Sequence, residues 1–218
     1  MKNVNIHVFD NNPLLRPYAQ KIRREADKAV RIISKYISVA EVDITISHRP
    51  ENIGSSRRVS TQLESNYLAN IALNVKDKYF KKFLRADLLE ALAYVLYCTV
   101  RSQKIGYPKN LLEECIETGL AFNFQTEVTG DKSEPYFMAI KNIKTFKHVA
   151  LKAKKEFYST HYSHDDWFGG SKKRNIPQFA GYIIGYVMVK HFLKVNPHFT
   201  PSQLIEKKAK YFNLRESK

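Results

Sequence analysis

One apolar stretch, residues 87–101, constrains the fold more than any other part of the sequence. Between Leu88 and Val100 its only charged residue is Glu90. A helix that is apolar around its whole circumference belongs in the interior of a protein rather than on its surface. The stretch is also shorter than the roughly 20 apolar residues that a membrane-spanning helix needs. The sequence therefore predicts a buried central helix and no membrane span.

The length and composition are those of a globular protein with a sizeable core. The chain has 218 residues, of which 44% are hydrophobic, an ordinary fraction for a folded domain. The sequence shows no internal repeat, low-complexity tract or linker. We therefore predict a single domain over residues 1–218, with a sheet-containing part in residues 1–80 and a helical part in residues 81–218.

The chain is strongly basic. It carries 36 Lys and Arg residues against 21 Asp and Glu residues, which gives a formal net charge of +15. Such a charge attracts nucleic acid, anionic membrane surfaces or acidic proteins, but it says nothing about the fold. A polyanion is therefore one predicted class of partner, and an unknown protein or peptide is the other.

Two cysteines, Cys98 and Cys115, are the only ones in the chain, and both lie in apolar helical contexts. Their number and setting predict buried thiols in a reducing compartment rather than a disulfide. The first residues contain no long apolar run of the kind that a signal peptide has. These features together predict a cytoplasmic protein.

Periodicity predicts an α+β fold with a small N-terminal mixed sheet, a long helix, the buried central helix and a mostly helical C-terminal half. Alternating apolar residues predict strands at residues 4–8, 42–46 and 66–75. The asparagines at 66, 70 and 74 share one face of the third strand, which indicates an edge strand or one bordering a groove. Helices are expected at residues 14–37, 111–126, 136–158, 178–195 and 201–212, and Pro17 delays the start of the first one.

Three segments carry motifs that are more specific than this periodicity. They are VLYCTVR at residues 95–101, ETGLAF at residues 117–122, and DWFGG with IPQFAGYIIGYVMVKHFL within residues 166–193. Together they resemble the predicted zinc-dependent protease family, a mostly bacterial family with a zincin-like fold. The resemblance covers about residues 67–214. It implies an HExxH helix that ends near an arginine and a helix with an E-G-L-A motif that supplies the third zinc ligand.

The zinc ligands of that family do not carry over to this chain. If Arg101 matches the family's arginine, the first histidine falls on Tyr94 and the second on Cys98. The glutamate that deprotonates zinc-bound water falls on Val95, and the third ligand falls on Thr118. In such a site two imidazoles hold the metal and a carboxylate moves the proton. The resemblance thus implies a degenerate site without metal or other cofactor and without a catalytic residue.

This conclusion does not depend on the alignment register. The seven histidines leave a gap from His48 to His148, so no HExxH motif can lie on the central helix in any frame. A different metal site remains open at the H-x-x-H-D-D sequence of His161, His164, Asp165 and Asp166. A short loop usually needs further ligands from elsewhere to hold zinc, so a polar loop anchored by Trp167 is the preferred interpretation of these residues.

Three functional hypotheses follow. The first is a degenerate metallopeptidase homologue, a pseudoenzyme that acts by binding a partner. The second is a basic nucleic-acid-binding protein, for which clustered cations form a possible anion-binding patch. The third is a peptidase with an altered active site. The patch residues are Lys152, Lys154, Lys155, Lys172, Lys173 and Arg174.

Overall fold

A four-stranded mixed sheet lies in the first of the two compact units into which the chain divides. The structure is a computed structural model, and it describes residues 4–39, 41–53, 58–140 and 143–212. The units are Met1–Gln103 and Lys104–Lys218. The prediction of one domain over the whole chain stays a prediction. The strands are β1 (Val4–Val8), β2 (Val42–His48), β3 (Val59–Ser65) and β4 (Leu68–Leu73).

The strand order is β1-β2-β4-β3, with β1, β2 and β4 parallel and β3 antiparallel to β4. Of the two settings predicted for the third strand, an edge of the sheet is wrong, because β4 lies between β2 and β3, and the border of a groove stays a prediction. Asn70, the one predicted asparagine that lies within β4, bonds to both neighbouring strands. Asn70 accepts a hydrogen bond from Thr45 on β2 and donates one to Glu64 on β3. β3, which lies at one edge of the sheet, was not predicted because its polar sequence shows no clear alternation of apolar residues.

The first unit also contains α1 (Ala19–Ile33) and all but the last two residues of α2 (Phe80–Ile105). A 3₁₀ turn at Arg16–Tyr18 precedes α1. The helix therefore starts about one turn later than its apolar pattern does, as Pro17 predicts. α2 contains the predicted central helix, is longer than predicted at both ends, and is buried along most of its length. The α+β class, with a small mixed sheet, is confirmed.

The second unit is mostly helical. Its helices are α3 (Leu111–Thr129), α4 (Ile143–Glu156) and α5 (Ala180–Val195). A single π-helical turn occupies Asp165–Gly169. Across the described parts of the chain, no helix combines the length and the apolar content that crossing a membrane requires.

Two predicted helices of this unit are interrupted by tertiary contacts. The helix predicted at residues 136–158 is instead a 3₁₀ turn, Tyr136–Ile140, followed by α4. Phe137 is fully buried in that turn, against the rings of Phe122 and Tyr186.

The helix predicted at residues 201–212 is two 3₁₀ turns, Ser202–Leu204 and Ala209–Phe212. The Glu127 carboxylate of α3 accepts hydrogen bonds from both the backbone N–H and the hydroxyl of Ser202, at 2.8 and 2.7 Å. This anchor stands where the helix would begin. In both regions packing decides the local structure in place of intrinsic helix propensity.

Two glycines bring α3 and α5 into backbone contact. A Cβ atom built on Gly185 would lie 1.7 Å from the carbonyl oxygen of Cys115, and one built on Gly119 would lie 2.2 Å from the carbonyl oxygen of Gly185. Only glycine leaves room for so close an approach. The tight helix packing predicted from the spacing of Gly181 and Gly185 is confirmed at Gly185.

Candidate functional site

The positions that the resemblance assigns to the HExxH motif lie in the buried middle of α2. Val95 and Cys98 are 1% and 4% exposed, and Tyr94 is half-buried. Val95, to which the resemblance assigns the place of the family's catalytic carboxylate, is packed as a core residue. Cys98, at the second histidine position, is a buried thiol outside any disulfide. This stretch of α2 therefore has the chemistry of a hydrophobic core.

Polar contacts at both ends fix α2 within its unit. Near its start, the buried carboxylate of Asp87 accepts two hydrogen bonds from Arg58, at 2.7 and 2.8 Å. This pairing raises the pKa of the Arg58 guanidinium above its ordinary value. Near its end, the Gln103 amide donates to the carbonyl oxygens of Glu41 and Asn66, at 3.0 and 2.6 Å.

The position of the third ligand, Thr118, lies on α3 in the second unit. Its hydroxyl donates to the carbonyl oxygen of Cys115 one turn earlier, at 3.0 Å, so the side chain bonds to its own helix. Glu117, the neighbouring carboxylate in the sequence, is 8% exposed. Burial raises the pKa of the Cys115 thiol, which keeps it protonated and makes it a poor metal ligand.

These residues do not fit a zinc ion of the HExxH type. Such a site needs three or four N, S or O ligands around the metal and a carboxylate beside it. No imidazole lies on α2, and the residue at the carboxylate position is the buried Val95. Within residues 4–39, 41–53, 58–140 and 143–212, no group of three His, Cys, Asp or Glu side chains is close enough to hold a metal ion.

The H-x-x-H-D-D sequence lies in the second unit, where His164 pairs with Glu114 of α3. The His164 Nδ1 atom is 2.7 Å from Glu114 Oε1, and the imidazole stacks on the ring of Phe168 with centroids 4.8 Å apart. The hydroxyl of Tyr162 donates to the other oxygen of the same carboxylate. The hydrogen bond from Glu114 raises the pKa of His164, and burial raises that of Tyr162. Of the other three candidate residues, His161 and Asp165 are exposed, and Asp166 accepts a hydrogen bond from Arg174.

A second polar network surrounds the buried ring of Trp167. The indole N–H donates to Glu156 of α4 at 3.1 Å, and Arg174 bridges the carboxylates of Glu156 and Asp166. The Arg174 guanidinium lowers the pKa of Asp166. The prediction of a polar loop anchored by Trp167 describes this arrangement, in which the loop's carboxylates are matched by an arginine.

Two members of the predicted anion-binding patch serve this network. Arg174 forms the two ion pairs just described, and the Lys152 ammonium donates to the Arg174 carbonyl oxygen. These cations are therefore engaged within the protein. The remaining members are exposed side chains; they are Lys154, Lys155, Lys172 and Lys173.

Sequence reasoning missed the cluster of Tyr162, His164 and Glu114. Acid in the first turn of a helix is adequately explained by the helix dipole, so Glu114 carried no further signal. Its partners lie 48 and 50 residues later in the chain. Only the histidine spacing of the H-x-x-H-D-D sequence singled out this loop in advance.

Comparison with known families gives one match. Residues 72–213 match the model of a family described as predicted Zn-dependent protease (DUF2268). Searches of curated proteins and of solved structures find no significant match. The matched range includes the whole of α2 and of α3, the two helices to which the resemblance assigns the ligand positions.

Proposed function

Because this chain belongs to the family of predicted Zn-dependent proteases, we propose that it is a catalytically degenerate member that acts by binding a partner. The observation that supports the proposal is the buried Val95 at the position of the family's catalytic carboxylate. A valine side chain cannot accept a proton from water. Fold and site are separable, so a chain can keep the scaffold of a family after losing its chemistry.

The other ligand positions support the same proposal. Tyr94 offers a phenol, which binds zinc poorly because its ordinary pKa is about 10. Cys98 offers one thiolate at most, and a single ligand does not hold a zinc ion. Thr118 bonds to its own helix through its hydroxyl. Each substitution is an ordinary helix residue, and together they remove every ligand that the motif would supply.

We further propose a cytoplasmic protein whose partner is a protein, a peptide or a polyanion. Cys98 and Cys115 are buried thiols, as suits a reducing compartment. The formal net charge of +15 favours an anionic partner.

Zinc content and peptidase activity together test the degenerate-site proposal. The untagged full chain is equilibrated with a zinc salt and freed of excess metal. Its zinc is then measured by elemental analysis, and its cleavage of denatured protein substrates is followed with and without chelator. We expect far less than one zinc per chain and no cleavage that a chelator abolishes.

A matched pair of variants identifies the source of any zinc. Cys98→Ala removes the thiol at a family ligand position, and Cys115→Ala removes a buried thiol elsewhere. One zinc per chain that is lost in Cys98→Ala and kept in Cys115→Ala would overturn the proposal. Chelator-sensitive cleavage would instead establish a peptidase with an altered site.

A further inference from the structure

A basic surface with an exposed aromatic ring lies at the start of α2, in the segment of residues 76–85. Five cationic side chains and one tyrosine are exposed within these ten positions, and Asp77 is the only acidic residue among them. Tyr79 is 46% exposed, the only large hydrophobic side chain of the segment to be so. The basic surface consists of Lys76, Lys78, Tyr79, Lys81, Lys82 and Arg85.

Cations and rings alternate on this basic surface. The ammonium groups of Lys78 and Lys82 lie 4.8 and 5.1 Å from the ring centroids of Tyr79 and Phe83, respectively. The rings of Tyr79 and Phe83 meet edge to face, with centroids 6.2 Å apart. Below them, Arg58 lies 4.5 Å from the centroid of Phe83 and is held there by its paired hydrogen bonds to Asp87. The surface thus combines aromatic rings with ammonium groups that lie against them.

The cations at the start of α2 do not follow the usual distribution of charge along a helix, although the Lys81 ammonium lies 5.5 Å from the ring centroid of Tyr18. The positive end of the helix dipole lies at the N-terminus, where cations destabilise a helix and acids stabilise it. α2 nevertheless has no acid in its first turn, which contains Lys81 and Lys82. The single acid nearby, Asp77, accepts a hydrogen bond from the backbone N–H of Tyr79 at 2.8 Å. The cations therefore stand where they oppose helix stability.

We propose that the basic surface binds single-stranded nucleic acid. The lysines would neutralise backbone phosphates, and the exposed ring of Tyr79 would stack on an unpaired base, as aromatic side chains do in single-strand-binding proteins. An anionic membrane fits less well, because the apolar neighbours Phe80 and Leu84 are buried and offer nothing to insert. The proposal is independent of the lost zinc site, since it uses no residue of that site.

Fluorescence anisotropy with labelled oligonucleotides, titrated with salt, tests this proposal. The triple variant Lys78→Ala, Lys81→Ala, Lys82→Ala removes three cations from the basic surface. Each phosphate contact contributes about 0.7 to the slope of log K against log salt for a single strand, so the slope should fall by about 2. The matched control removes Lys155, Lys172 and Lys173 from the second unit, and its slope and affinity should match those of the unchanged protein.

Tyr79 separates stacking from simple charge attraction. Tyr79→Ala should weaken single-strand binding roughly tenfold, the usual loss when a stacking side chain is removed, whereas Tyr79→Phe should bind as the unchanged protein does. All of these side chains are exposed, and circular dichroism verifies that each variant is folded.

Four results would overturn the proposal. The first is the absence of oligonucleotide binding even at low salt, and the second is loss of binding only in the control triple variant. The third is binding to duplex that is as tight as binding to a single strand and is unaffected by Tyr79→Ala. The fourth is binding to anionic vesicles in place of oligonucleotides.

Discussion

Helices α2 and α3 begin with opposite charges, although both are largely buried. α3 starts at a cap, because the Asn110 side chain accepts a hydrogen bond from the backbone N–H of Glu113 at 3.0 Å, and Glu113 and Glu114 place acid in its first turn. α2 starts with Lys81 and Lys82 and no acid. The start of α3 stabilises its helix, whereas the start of α2 opposes its own. The binding proposal for α2 uses this contrast, because the helix dipole disfavours cations at the start of a helix.

The two helices also differ in what holds them in place. α3 meets α5 at the backbone, through Gly119 and Gly185. α2 is fixed by side-chain hydrogen bonds to Asp87 and from Gln103. A larger residue at the backbone contact forces the two helices apart, because backbone atoms cannot move aside as a side chain can. A substitution at a side-chain anchor removes its hydrogen bonds but leaves the helix packing in place. Changes to the two helices should therefore destabilise the protein by different amounts and for different reasons.

The largest effect should come from Gly185→Ala in α5. Its new methyl group would lie 1.7 Å from the Cys115 carbonyl oxygen of α3, so the two helices must separate. We expect the free energy of unfolding to fall by more than about 3 kcal/mol, the upper end of the usual range for overpacking. Denaturant titration measures this loss.

Gly130→Ala is the matched control for that change. Its Cβ would meet no atom within 4 Å, although the φ of +70° strains any residue other than glycine. It should cost about 1–2 kcal/mol. Equal losses in the two variants would show that the contact of α3 with α5 is not a rigid one.

The next effect should come from Asp87→Ala, which removes the buried anchor of α2. The Arg58 guanidinium, whose side chain is 28% exposed, would lose both of its hydrogen bonds to the carboxylate. Breaking a fully buried pair costs about 3–5 kcal/mol, and partial solvent access reduces this to about 2 kcal/mol. Glu134→Ala is the control, because it breaks the exposed pair with Lys190 and should cost less than about 1 kcal/mol. A loss at Asp87 as small as at Glu134 would contradict the anchoring role.

Smaller effects of opposite sign should follow changes at the two helix starts. Asn110→Ala removes the cap of α3 and should destabilise the protein by about 1 kcal/mol, which thermal unfolding measures.

Lys81→Glu places acid at the start of α2 and should stabilise the protein by about 0.3–1 kcal/mol while weakening oligonucleotide binding. Thermal unfolding and anisotropy measure the two properties on one preparation. A Lys81→Glu variant that is less stable would remove the argument that this charge opposes folding.

The smallest effect should be a pH dependence that arises at the start of α3. Glu114 raises the pKa of His164 in the folded state. The pairing of protonated His164 with Glu114 therefore stabilises the folded state fully below the ordinary histidine pKa of about 6.5. This contribution to the free energy of unfolding is lost as the pH rises through the higher pKa of the folded state. Glu114→Gln should remove this dependence. NMR titration of the imidazole in both proteins measures it, and an identical titration midpoint in the two would contradict the pairing.

The sequence predicted elements whose burial is nearly complete or strictly periodic. α2 was predictable because its stretch from Leu88 to Val100 has one charged residue and therefore no polar face to turn to solvent. The strands at Val4–Val8 and Val42–His48 were predictable because their apolar residues alternate. The strand order β1-β2-β4-β3 was not predictable, because periodicity records which face is buried and not which strand is the neighbour. For the same reason the asparagines at 66, 70 and 74 indicated an edge strand or a groove, whereas β4 lies inside the sheet between β2 and β3.

The candidate site was predictable only in its negative part. A gap in histidines between His48 and His148 excludes HExxH from α2 in every alignment. The pairing of Glu114 with Tyr162 and His164 joins distant parts of the chain, so no local pattern carries it. The ion pairs of Arg174 with Glu156 and Asp166 were not predictable for the same reason. The cluster of basic residues in the sequence therefore overstated the positive charge that is available to a ligand.

Thermal unfolding of the full chain with and without zinc tests the central claim, that α2 holds no metal, most directly. A ligand present at 100 times its dissociation constant stabilises the folded state by about 2.7 kcal/mol, which a melting curve resolves easily. The account predicts the same melting temperature at every zinc concentration. A melting temperature that rises with zinc concentration, and no longer does so in Cys98→Ala, would contradict it.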